Sequence, residues 1–105
     1  MQKADFYTLF NYNTTNEILV KRKGWRYELD NGVVIFLKKD LLGWTSTEES
    51  TGNYIVANVE TKKECLAQTV KLKEDILLAL DYPFNVEKAK VMKLLIAKGK
   101  YETWN

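Results

Sequence analysis

The chain contains no histidine. Its absence removes the usual general base at neutral pH and the commonest metal ligand, so no Ser-His or Cys-His pair can be assembled. There is one cysteine, Cys65, and therefore no internal disulfide, which fits a reducing compartment. Proline occurs once, and the five glycines stand apart, so there is no glycine-rich loop to cradle a phosphate. No apolar run approaches the roughly eighteen residues that span a bilayer. The opening "MQKADFYTLFNYNTT" has neither a basic region nor an uninterrupted apolar stretch before a small-residue cleavage site. The expectation is a cytoplasmic protein with no membrane partner. Arginine is scarce, two against fourteen lysines, which argues against bidentate recognition of phosphate or guanine.

What remains is a globular composition, 46% hydrophobic and 29% charged over 105 residues. A chain of this length buries roughly two-thirds of the surface its unfolded form exposes, enough for one core, so residues 1–105 are read as a single domain. The net charge of +2 is spread evenly: seven basic and seven acidic groups in residues 1–52, nine and seven in residues 53–105. Any electrostatic footprint must be local.

Residues 1–59 read mainly as strands. "DFYTLF" (5–10), which fits a strand or a helical turn, and "EILVKR" (17–22) flank "NYNTTN", whose asparagines and threonines bond their own backbone in turns. "WRYEL" alternates apolar and charged residues before Asp30-Asn31-Gly32, and "VVIFL" follows; Asn-Gly offers two positive-φ positions for a hairpin turn. The run 33–37, apolar on both faces, belongs in the middle of a sheet. "GWTSTEE", Ser50-Thr51-Gly52 and "NYIVAN" read as a second hairpin.

Residues 60–99 read as two helices. Thr61-Lys62-Lys63-Glu64 is a capping box that opens a helix running to about Leu80, with Leu66, Val70, Leu77 and Leu80, joined by Thr69 and Ile76, on its apolar side. It ends at Asp81-Tyr82-Pro83. Asn85 caps a second helix over 86–98, with Gly99 as terminator and Val86, Ala89, Met92, Leu95 and Ile96 as its stripe. Residues 100–105 form a tail with two aromatics. The fold class expected is α+β, an antiparallel meander of four to five strands packed by two C-terminal helices.

Chemistry is sparse. Cys65, in the first turns of a helix, is either a thiolate activated by the helix dipole or a small core residue, and its apolar neighbours favour the core. Glu48-Glu49 and Glu74-Asp75 are the only adjacent carboxylate pairs, and neighbours in a strand point to opposite faces. The reading is therefore non-enzymatic, with no cofactor and no metal.

Two basic surfaces stand out as partner or nucleic-acid contacts. "KRKGWR" gathers Lys21, Arg22, Lys23 and Arg26 around Trp25, cations beside a base-stacking platform. Alternation puts Lys21 and Lys23 on one face and Arg22 on the other unless the chain bends at Gly24. Lys88, Lys90, Lys93, Lys98 and Lys100 form the other set, with Lys90 and Lys93 on one side of the last helix.

The stretch 43–67, "GWTSTEESTGNYIVANVETKKECLA", places a Trp-led strand before a Thr-Gly turn, an apolar strand and a Thr-Lys-Lys-Glu helix start. It resembles a pattern in small proteins of phages and mobile elements of low-GC bacteria, some of which are anti-CRISPRs. That resemblance implies a protein that binds and inhibits a host defence effector such as a CRISPR nuclease, through an exposed patch holding aromatics such as Trp44, Tyr54, Tyr101 or Trp104. The β-β-α order is also similar to HicB-type antitoxins, without their proline-rich turn.

Overall fold

The computed structural model describes residues 2–104. Met1 and Asn105, the ends of the predicted domain and tail, lie outside the described residues. The fold is α+β. Strands β1 (Gln2–Phe10), β2 (Ile18–Glu28), β3 (Val34–Asp40) and β4 (Gly43–Glu48) form an antiparallel meander, followed by α1 (Lys62–Lys71), α2 (Lys73–Ala79), α3 (Pro83–Ala97) and a short β5 (Glu102–Thr103). Residues 5–10 are strand, not helical turn. The tail folds back: β5 pairs parallel with β2 at Val20 and Lys21, on the flank that β3 leaves free.

Pairing register assigns the faces. Leu9 opposes Leu19, Trp25 opposes Leu37, and Leu37 opposes Ser46, so these side chains share the face that the helices cover. Under α1 and α2 lies a core of Leu29, Val33, Ile35, Leu37, Val56, Cys65 and Ile76. Under α3 lies a smaller one of Leu9, Leu19 and Met92. The opposite face is not left to water. Phe6 from β1 and Phe36 from β3 stack across β2, ring centres 5.1 Å apart. They can meet because Gly24 stands beneath them; a Cβ there would come within 2.9 Å of the Phe6 ring. A glycine inside a strand commonly marks such a close approach.

The sheet also curls. The turn after β4 reaches β1, where a Cβ on Gly52 would stand 2.8 Å from the Tyr7 carbonyl oxygen. The two ends of the strand order thus touch, and Phe6, Val20, Phe36 and Thr47 lie buried inside the curl.

Four local expectations are corrected. The turn after β2 is a three-residue loop in which only Gly32 has positive φ; Leu29 N–H bonds the Val33 carbonyl across it. The Asn31 side chain is used elsewhere: its Oδ1 accepts from Val33 N–H, and its Nδ2 donates to the Lys73 carbonyl. That long-range bond, with Lys73 Nζ 2.8 Å from Asp30, holds the chain where α1 ends and α2 begins. Second, the single long helix expected is broken at Leu72, and Val70 and Leu77 face outward while Cys65, Thr69 and Ile76 are buried. Third, α3 begins at Pro83, so Asn85 sits in its first turn rather than at its cap. Proline suits that first position because its missing N–H would be unsatisfied anyway. Fourth, the return arm of the second hairpin forms no continuous strand: it bridges β4 at Thr47–Tyr54 and Trp44–Val59 and exchanges backbone hydrogen bonds with Ser46 through Ile55 and Val56, and Asn58 takes a positive φ. The threonine half of the capping box holds at the start of α1, where Thr61 Oγ1 accepts from Glu64 N–H at 3.1 Å, while Glu64 Oε1 accepts from Gln68 Nε2 at 3.0 Å.

Candidate functional site

The segment 21–26 lies in the unbroken strand β2 and does not bend at Gly24. Alternation therefore divides its charges. Lys21 and Lys23 stand on the helix-bearing face, both within 4.0 Å of Asp5. Arg22 and Arg26 point to the other face. Arg26 Nε is 3.9 Å from Glu49, and Arg22 Nε is buried without a hydrogen-bond partner. Trp25 is half-buried against the core, with the Lys62 ammonium 4.2 Å from its ring centre and that of Lys3 at 5.5 Å. The four cations do not make one track on their own.

The sheet supplies other cations. The β2–β3 ladder ends at Trp25–Leu37, so the strands part at Gly24 and Lys38. The opening is a cleft of about 210 Å³ lined by Lys3 and Lys23, Lys38 and Lys39, with Trp25 and Trp44 as walls. Lys38 reports the local field: burial, then the charges of Arg22 and Lys3, pull its ammonium below the ordinary lysine range, with Asp40 opposing. Lys3, Lys38 and Lys39 were missed in the sequence because they belong to other strands. "LKKD" carried a signal, but only register brings it beside Lys23.

Lys90 and Lys93 line a different cavity, a groove of about 500 Å³ between α3 and the turn at Glu49 and Ser50, floored by Met92 and Ile96. Lys90 is exposed and 3.4 Å from Glu87, one turn away, the ordinary arrangement of a solvated helix face. Lys88, expected beside them on the surface, is 7% exposed. Its Nζ bonds the Asn53 side chain, and burial pulls it below the usual lysine range while the Glu48 charge holds it up. Glu48 is itself buried, and its carboxylate accepts from the backbone and hydroxyls of Ser50 and Thr51 at 2.7 to 2.9 Å.

The other chemistry weighed in the sequence has a local account. Cys65 is fully buried, and burial pushes its thiol up, against hydrogen bonds with Ser46 and Thr69 that favour the thiolate. An attacking thiolate needs exposure and a lowered pKa. Among the described residues no three carboxylate or thiol groups come together as a metal would require. No helix of the described residues is long and apolar enough to cross a membrane.

An aromatic cluster is the feature closest to a docking patch. Phe10 at the end of β1 stacks on Trp104 at 5.6 Å and meets Tyr54 edge-on at 6.3 Å. Tyr54 and Trp104 remain 47% and 45% exposed, far more than packing in a core would leave. Of the other expected patch aromatics, Trp44 packs on the core beneath α1 and Tyr101 packs edge-on against Tyr7. Phe10 went unnoticed in the sequence because the tail that brings Trp104 beside it is 94 residues further along the chain. No family model, curated protein or solved structure matches the chain.

Proposed function

We propose that this protein is a non-catalytic binding module that docks on a larger partner and blocks it, the partner class being a host defence effector such as a CRISPR nuclease. The observation that carries the binding reading is the half-exposed cluster of Tyr54, Phe10 and Trp104. Interface centres are enriched in aromatics and poor in charge, and two rings already held by a third lose little freedom on docking. Tyr82 and Phe84 at the start of α3 are also exposed, with Phe84 edge-on to Tyr12 at 5.3 Å. The partner class comes from the resemblance of residues 43–67 to phage and mobile-element proteins.

The test is interference with a challenge plasmid in cells carrying an active CRISPR nuclease, with and without this protein. Restored plasmid survival that Tyr54→Ser with Trp104→Ser abolishes supports the reading. Unchanged interference across nucleases of different types, together with no protein retained on the immobilised chain, removes it.

A further inference from the structure

The turn joining β3 to β4 carries the two most exposed large apolar side chains among the described residues, Leu41 at 103% and Leu42 at 74%. Turn centres are normally polar or glycine, so two leucines held wholly in water call for a use. The turn is firmly built. Asp40 pairs with Gly43, the Asp40 carboxylate accepts from Leu42 N–H at 3.0 Å, and a Cβ on Gly43 would stand 2.6 Å from the Val59 carbonyl oxygen. The leucines are therefore presented by a fixed hairpin.

Behind them stands the lysine cleft. Lys38 and Lys39 leave β3 on its two faces just before the turn, Lys39 opposite Trp44, and Lys3 and Lys23 join them. Asp5 faces Lys21 and Lys23, and the Asp40 carboxylate is engaged with the turn. We propose that this hairpin tip docks on an anionic lipid surface. Leu41 and Leu42 enter the acyl boundary, and Lys3, Lys23, Lys38 and Lys39 meet headgroup phosphates. Trp44, two residues past the tip, stays packed on the core as a wall of the cleft, so the apolar contact falls to the two leucines. A nucleic acid would engage the same lysines through its phosphates but leave both leucines in water. A bilayer offers phosphate and hydrocarbon at adjacent depths and so uses both. The absence of a spanning helix bears on crossing a membrane and not on touching one. This contact is independent of the aromatic patch.

The experiment is co-sedimentation of the full chain with vesicles of phosphatidylcholine alone and with about one-third phosphatidylserine, at low and physiological salt. Partitioning onto the anionic vesicles is expected to be at least roughly tenfold stronger, and to weaken with salt. Leu41→Ser with Leu42→Ser lowers it about tenfold. The melting temperature stays unchanged, because both side chains are exposed. Lys38→Gln with Lys39→Gln brings binding to the level of neutral vesicles. Equal binding to both vesicle types overturns the proposal, as does a leucine double variant that binds like the parent. So does a single-stranded oligonucleotide that binds and is released by the lysine changes but not by the leucine changes.

Discussion

The ammonium of Lys62, in the first turn of α1, stands 4.2 Å from the centre of the Trp25 ring on β2, with Tyr27 and Trp44 at 5.9 and 6.0 Å. Three aromatic faces thus surround one cation and join the start of the helix to the sheet. The quadrupoles of such rings attract a partly desolvated cation by about 1 to 2 kcal/mol. Lys62→Met is expected to lower unfolding free energy by about 1 kcal/mol, with Lys62→Arg losing less. Urea unfolding measures both. Equal losses for methionine and arginine would show that shape, and not charge, makes the contact.

Gly24 is where one side chain would be too many. Alanine there meets the Phe6 ring and the Leu37 carbonyl oxygen, both at 2.9 Å, and backbone gives way less easily than a ring. Gly24→Ala should cost about 2 kcal/mol, the range of overpacked cores. Adding Phe6→Leu relieves the ring clash but not the carbonyl clash, so a thermodynamic cycle on the two changes should show partial recovery. Full additivity would mean that the ring does not set the cost.

Asn31 ties the β2–β3 turn to the helical layer. Asn31→Ala removes two hydrogen bonds, at 2.9 and 3.2 Å, and leaves the Lys73 carbonyl without that donor. A loss of about 1 to 2 kcal/mol is expected. Faster amide exchange should appear at the start of α2 and not in α3. Uniform acceleration would instead report only global destabilisation.

Lys88 carries a pH signature. Burial lowers its folded pKa, while the unfolded chain keeps the ordinary 10.5. Between those two values the unfolded state binds the extra proton, so stability attributable to Lys88 rises with pH and is lost as pH falls through the folded value. Cys65, Tyr7 and Tyr27 act oppositely: their raised values make stability fall as pH climbs past 9.0 for the thiol and 10.0 for the phenols. The difference in unfolding free energy between the parent and Lys88→Met isolates the lysine. It should rise toward alkaline pH. A flat difference would mean that the Glu48 charge cancels the burial.

Much of the architecture was legible. The alternation in "WRYEL", the apolar run 33–37 and the capping threonine at 61 each report their own surroundings, and strand, central strand and helix start followed. The candidate sites were legible only in part. Lys21 and Arg22 fell on opposite faces as period two demands, but Trp25 acquired Lys62 and Lys23 acquired Lys39 from elements no local pattern connects to them. Lys88 shows the opposite failure. A lysine at a surface-like helical position is buried because the turn after β4 closes over it, with Asn53 as partner.

The sequence by itself determined which segments extend and which coil, because side-chain periodicity and capping act over a few residues. It also determined that no imidazole stands anywhere in the fold, since a chain without histidine cannot place one. Tertiary structure alone decided that Phe6 and Phe36 meet over Gly24, that a helix breaks at Leu72, and that two leucines project beyond four lysines. Those outcomes depend on strand register and on contacts between distant segments. Their free energies are shared among many weak partners and are written at no single position of the chain.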